Sequence, residues 1–231
     1  MIKKILFLAA LMFSSGALSK TITIDMNADN TINLNGVVTP RFINPLTDKL
    51  FKLAGTKVVN IVINSPGGYV YEGQKFVQAM IMAKSRGTRV DCVVTGMAAS
   101  MGFQILSFCD NRYVLSYSLL LWHPPRVQTN EVITPGSANS LAEDLERIDD
   151  ALYTSARDNL NAPDDWYMHH HIRETMWFGS QLQKALPKAF TVVDDVVGLD
   201  TLKLNIPSFF GFGFEDSGII YINPNLDTTE Y

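Results

Sequence analysis

Long apolar runs, basic clusters, repeats and cysteines are all scarce in this 231-residue sequence, and each scarcity narrows what the chain can be. Beyond residue 19 no stretch approaches the ~20 apolar residues of a spanning helix, so no later transmembrane helix is expected. No Lys/Arg cluster is followed by aromatic residues and the formal charge is −4, which argues against a nucleic-acid partner. No internal repeat, low-complexity tract or interdomain linker is found, which leaves one α/β domain. The 47% hydrophobic and 18% charged content is globular, neither disordered nor collagen-like. Of the two cysteines, Cys92 lies in a strand-like run and Cys109 ends a helix-like one. Two buried thiols are therefore expected in preference to a disulfide. Three of the four histidines are consecutive, His169 to His171. Neighbours on a helix point about 100° apart, so these three suit a solvated face, and no metal site is expected.

The first nineteen residues stand apart. Lys3 and Lys4 precede an uncharged run from Ile5 to Phe13, and Ala17 and Ser19 supply small residues at −3 and −1 of a cleavage site. That order predicts a signal peptide over 1–19 and an exported protein, periplasmic or secreted, starting near Lys20. Removing Lys3 and Lys4 with no acid moves the formal charge from −4 to −6.

After the leader, alternation over Thr21–Asp25 and Thr31–Val37 predicts two short strands. Phe42, Leu46, Leu50 and Leu53 recur at helical spacing, and Val58–Ile63 reads as a buried strand. A helix with Phe76, Val77, Met80 and Ile81 on one face follows, with Gly87 placed to cap it. Arg89–Val94 is the next strand, Ala99–Phe108 the next helix, and Tyr113–Trp122 is strand-rich again. Strand and helix in alternation predict a parallel sheet with right-handed crossovers. Leu141, Leu145, Ile148, Leu152, Ala156 and Leu160 mark a helix of about five turns. From pattern alone it could project to meet a partner or lie on its own domain. A second helix could begin at Pro163, and Ala189–Val193 gives a last core strand. The tail reads as a hairpin, Phe209–Phe214 and Ile219–Ile222 about a turn at 215–218.

Three segments carry candidate chemistry. Asn64-Ser65-Pro66-Gly67-Gly68 follows a strand, and its glycines can turn backbone N–H groups into a cleft, suited to a developing oxyanion. Gly96-Met97-Ala98-Ala99-Ser100-Met101-Gly102 joins a strand to a helix with small residues around one serine. That is the logic of a nucleophile elbow, although Ala98 rather than glycine stands two before the serine. Alone, the segment reads better as a plain helix N-cap. In Leu119–Pro125 a histidine, His123, ends a buried strand, where open α/β sheets place their sites. A serine and a histidine so placed make a nucleophile and its base.

Taken together, residues 64–68, 97–102 and 123–124 resemble the signature segments of the Clp protease proteolytic subunit, in the same order and at similar separations. The resemblance runs from about residue 31 to 198, and the helix over 141–160 is similar to that family's handle helix. It implies a Clp protease/crotonase-like α/β fold of repeated β-β-α units with a parallel sheet and a projecting handle. It also implies a peptidase domain over 20–202, with residues 203–231 as a C-terminal extension. On this resemblance Ser100 is the nucleophile, His123 its base, and the N–H groups of Gly68 and Met101 form the oxyanion hole. No cofactor is implied; the partners are a peptide substrate and further copies of the chain in a ring. An exported member would work without an ATP-driven unfoldase.

One element departs from the family. Its catalytic aspartate falls four residues before a serine that starts a helix, and Phe178-Gly179-Ser180 places Met176 there. Glu174 is the nearest acid and the candidate third member; Asp194, Asp195 or a backbone carbonyl are the other ways to orient His123. The alternative function is a catalytically weak or inactive scaffold subunit. A crotonase-type acyl-CoA enzyme would share the fold without needing Ser100 and His123. A Ser-Lys peptidase is disfavoured, since no lysine lies near either residue in sequence.

Overall fold

The computed structural model describes residues 20–130, 132–163, 174–199 and 202, together with the backbone of two short strands at 213–214 and 220–221. The proposed leader, His169–His171, any helix beginning at 163 and the turn at 215–218 lie outside the described residues.

The apolar run at 58–63 forms the middle of a sheet, as its lack of a polar face requires. The strands are β1 (Thr21–Thr23), β2 (Thr31–Asn35), β3 (Val58–Ser65), β4 (Arg89–Ala99), β5 (Asn111–Leu115), β6 (Leu119–Trp122), β7 (Thr175–Phe178), β8 (Thr191–Val193), β9 (Asp195–Val197), β10 (Gly213–Phe214) and β11 (Ile220–Tyr221). The helices are α1 (Pro40–Leu53), α2 (Val70–Ser85), α3 (Met101–Ser107), α4 (Pro135–Leu160) and α5 (Gly179–Ala185). Five strands run parallel in the order β2-β3-β4-β5-β8. This is the mixed α/β architecture with a parallel-dominated sheet that the sequence predicts. β1 pairs parallel with β9 in a separate two-stranded sheet, and the two-residue strands β10 and β11 pair antiparallel.

β4 runs past its neighbour β5. Its first half pairs with β5 through Val94, and its last three residues pair instead with β6. β6 in turn pairs antiparallel with β7. The overhang of β4 carries the next residue, Ser100, past the end of β5 and alongside β6. α1, α2 and α3 cover one face, burying Ile43, Leu50, Phe76, Met80, Phe103 and Ile105 against β2–β4. Ile81, expected on the apolar face of α2, is 42% exposed; the buried stripe runs through Gly73, Phe76, Val77, Met80 and Ala83.

α4 starts six residues before the first predicted apolar position. Pro135 takes a first-turn site, and Thr134 and Ser137 satisfy each other's backbone N–H in a capping box. The two halves of the helix differ. Its C-terminal half docks on its own domain, with Leu152, Tyr153, Ala156 and Leu160 buried and Tyr153 edge-on to Trp122. Its N-terminal half, up to Ile148, is largely bare.

The two cysteines form a disulfide, which corrects the expectation of free thiols. The chain reverses at Ser100, so α3 returns along β4 and brings Cys109 to Cys92 with a Cα–Cα distance of 5.9 Å, inside the range a disulfide needs. Reading the two residues as parts of separate elements missed that the elements are antiparallel neighbours.

Candidate active site

The nucleophile corner is set by backbone geometry. Ser100 has φ 52° and ψ −121°, a conformation L-residues avoid. It lies between the last residue of β4 and the first of α3. A capping serine would take extended φ/ψ and bond the first turn; Ser100 does neither. Its hydroxyl has no hydrogen-bond partner among the described residues. The Ser100 N–H is instead anchored to the Leu121 carbonyl at 2.9 Å, and its own carbonyl accepts from Gln104 N–H at 3.0 Å. The strain is thus held from both sides.

The glycine turn presses against this corner. A Cβ at Gly67, whose φ is +90°, would lie 2.6 Å from the Ala99 carbonyl and the Ser100 Cβ and 2.8 Å from the Met101 nitrogen. Gly68, at φ +149°, is held against the Val38 backbone by a parallel bridge, Val38 N–H to Gly67 O at 2.7 Å and Tyr69 N–H to Val38 O at 2.9 Å. The Gly67 N–H is committed to Ser65 Oγ at 3.1 Å. The N–H of Gly68 has no such partner among the described residues, and neither does that of Met101 in the first turn of α3. Both oxyanion candidates thus keep unpaired N–H groups among the described residues, Gly68 next to the glycine packed on the Ser100 corner and Met101 directly after Ser100.

His123 follows directly on β6. In the parallel β4–β6 register Ala99 pairs with Leu121, which puts Ser100 and His123 at the ends of adjacent strands. His123 is half-buried, and its Nδ1 lies 2.6 Å from the Pro124 carbonyl. A carbonyl can only accept, so this contact puts the proton on Nδ1 and leaves the Nε2 lone pair for a substrate or nucleophile proton.

The acid side is different. β7 lies beside β6 with Leu121 opposite Met176 and Trp122 opposite Thr175. Continuing that register by one pair sets Glu174 across from His123. The Glu174 carboxylate, however, bonds Arg126 Nη2 at 2.6 Å. Met176 is 41% exposed on the same strand. Asp194 accepts from the Ser116 hydroxyl at 2.7 Å and the Lys20 N–H at 2.9 Å, and Asp195 sits in the β1–β9 pair. Of the orienting groups considered from sequence, the backbone carbonyl is the one in contact with His123. No group of three or more His, Cys, Asp or Glu suited to a metal occurs among the described residues.

The structure thus brings a serine at a strained strand-to-helix corner, two backbone donors without partners among the described residues and a histidine on the next strand into one region. The Clp protease family model matches residues 14–177, and the chain belongs to that family. It is 28% identical over 195 residues to the ATP-dependent Clp protease proteolytic subunit of Streptococcus salivarius, covering 82% of this chain and 95% of that one. The subunit of the same name from Streptococcus uberis is 30% identical over 180 residues, covering 72% and 89%. That from Lactococcus lactis subsp. lactis is 28% identical over 180 residues, covering 76% and 86%. Family membership supports peptide-bond hydrolysis as the activity.

Proposed function

We propose that this chain is a serine peptidase that cleaves short or unfolded polypeptides through an acyl-enzyme. The observation that carries the reading is Ser100 itself, held at positive φ with its hydroxyl uncommitted beside the strand end that bears His123. Ser100 Oγ attacks the scissile carbonyl carbon while His123 Nε2 takes its proton. The oxyanion accepts from the N–H groups of Gly68 and Met101. The C–N bond breaks as Nε2 returns the proton to the amine. Water, deprotonated by Nε2, then cleaves the ester and regenerates Ser100. The exposed chain after Gly68 would receive the peptide in extended form.

The Pro124 carbonyl fixes the His123 tautomer but carries no full charge to set against the imidazolium. Loss of a triad carboxylate costs about 10⁴ in rate in a well-studied serine protease, so slow turnover is expected. Met176 favours the alternative of an inactive scaffold subunit, and one experiment separates the two. With a short fluorogenic peptide, the wild-type chain turns over and Ser100→Ala does not, its fold unchanged. Equal turnover by both proteins would eliminate the serine mechanism.

Two further features belong to the proposal. The exposed N-terminal half of α4 and the exposed Tyr117, Met176 and Phe178 suit contacts between subunits of a ring. Leu152, further along the same helix, is already buried in its own domain. Export is supported by the leader pattern and by the buried Cys92–Cys109 disulfide, which an oxidising compartment permits. In such a compartment the peptidase works without an ATP-driven unfoldase.

A further inference from the structure

We infer that Asn64 is a positioning residue that sets the spacing of the two oxyanion donors, an inference that rests on the serine-peptidase reading above. β3 and β4 are in register as far as Ile63 opposite Val94, and pairing resumes with Ser65 opposite Ala98. One residue of β3, Asn64, therefore faces three of β4, Thr95, Gly96 and Met97. Such a mismatch opens a ladder and leaves main-chain groups to be satisfied some other way.

The Asn64 carboxamide fills the gap. Its Oδ1 accepts from Met97 N–H at 3.1 Å, and its Nδ2 donates to Asn35 Oδ1 on β2 at 3.0 Å. Its backbone carbonyl accepts from Gly36 N–H at 3.1 Å. The fit leaves no room for a side chain opposite, since a Cβ at Gly96 would lie 2.5 Å from Asn64 Oδ1. Ser65 continues the tie, donating to the Gly36 carbonyl at 2.6 Å and accepting from Gly67 N–H.

The position of this bridge along both strands gives it a catalytic consequence. Gly68 lies four residues after Asn64, and Met101 four residues after Met97. The side chain thus joins the two backbone arms at points equally far upstream of the two donors. One arm is the glycine turn; the other passes through the Ser100 corner. Releasing the bridge lets the arms shift relative to each other without removing either donor. A geometry that matters to the tetrahedral oxyanion but little to the ground-state peptide is read in kcat and not in KM.

The test compares Asn64→Leu and Asn64→Asp in the full chain, using a short fluorogenic peptide and a peptide boronate that mimics the tetrahedral intermediate. Asn64→Leu is expected to lose about 10- to 100-fold in kcat, the range a displacement near 1 Å produces, with KM within about two-fold of wild type. Boronate affinity should fall by the same factor. Asn64→Asp keeps an acceptor for Met97 N–H and is expected to recover most of that loss. An unchanged kcat in Asn64→Leu, or an Asp variant as poor as the Leu variant, overturns the inference. If Asn64→Leu does not fold, Asn64→Ala takes its place, removing the acceptor of Met97 N–H without adding bulk, and a kcat equal to wild type there overturns the inference as well. Fluorophosphonate labelling keeps the two failures apart. A labelled Ser100 with unchanged Asn64→Leu kinetics sinks this inference alone, whereas an unlabelled wild-type Ser100 sinks the peptidase reading with it.

Discussion

The two sides of the site are built to different standards. On the nucleophile side, Ser100 is fixed by a backbone bond to each neighbouring element, by the glycine turn packed on its Cβ, and by a disulfide that closes the strand–corner–helix unit. Cys92 and Cys109 are both fully buried. On the base side, His123 is oriented by the carbonyl of the next residue, and the nearby Arg126–Glu174 ion pair is exposed. An exposed pair of this kind contributes little, about 0–1 kcal/mol. If the chain is the serine peptidase proposed above, the contrast separates what its chemistry draws from backbone shape from what it draws from one side chain. On the serine-peptidase reading, the corner and the oxyanion donors depend on one another through the backbone, while the acid rests on a single side-chain position, where this chain has Met176.

The contrast is broken most severely at Gly67. Gly67→Val drives a branched side chain into the Ala99 carbonyl and the Met101 nitrogen, so kcat should fall by about 10²-fold or more, with circular dichroism still reporting a folded sheet. A wild-type rate would show that the turn and the corner do not depend on each other. The disulfide comes next. Replacing Cys92 and Cys109 together with alanine should cost about 3 kcal/mol in denaturant unfolding, the value for a closed loop of roughly this length. No change in the midpoint would mean that the pair is not bridged in solution.

The smallest effects are expected on the base side, and there they sharpen the contrast. Met176→Asp, on the strand beside β6, should raise turnover several-fold by giving the imidazolium a charged partner, with Glu174→Gln close to wild type because Arg126 already engages that carboxylate. If Glu174→Gln instead loses most of the activity, Glu174 reaches His123 during turnover and the carbonyl is not the orienting group.

Most of the sheet was legible because buried parallel strands advertise themselves as apolar runs, as Val58–Ile63 does. The three site segments were legible as motifs, but the geometry that decides between an N-cap and a nucleophile at Ser100 is a φ angle, which composition does not encode. The disulfide was misread because its partners meet only after α3 folds back on β4. The start of α4 was missed because Gly136-Ser137-Ala138-Asn139-Ser140 has no apolar period, and the signal was the Thr134/Ser137 cap instead. The Pro124 carbonyl was legible only as a class of partner. Backbone atoms are the same at every position, so no residue identity points to the one that is used.

The account stands or falls on the Ser100 hydroxyl being a reactive nucleophile. The most direct measurement is to treat the folded full chain with a fluorophosphonate and map the adduct by peptide mass spectrometry. The account predicts a single adduct on Ser100, slowed by His123→Ala and absent when the protein is unfolded first. A folded protein with no adduct at Ser100, or one labelled equally fast without His123, would contradict it.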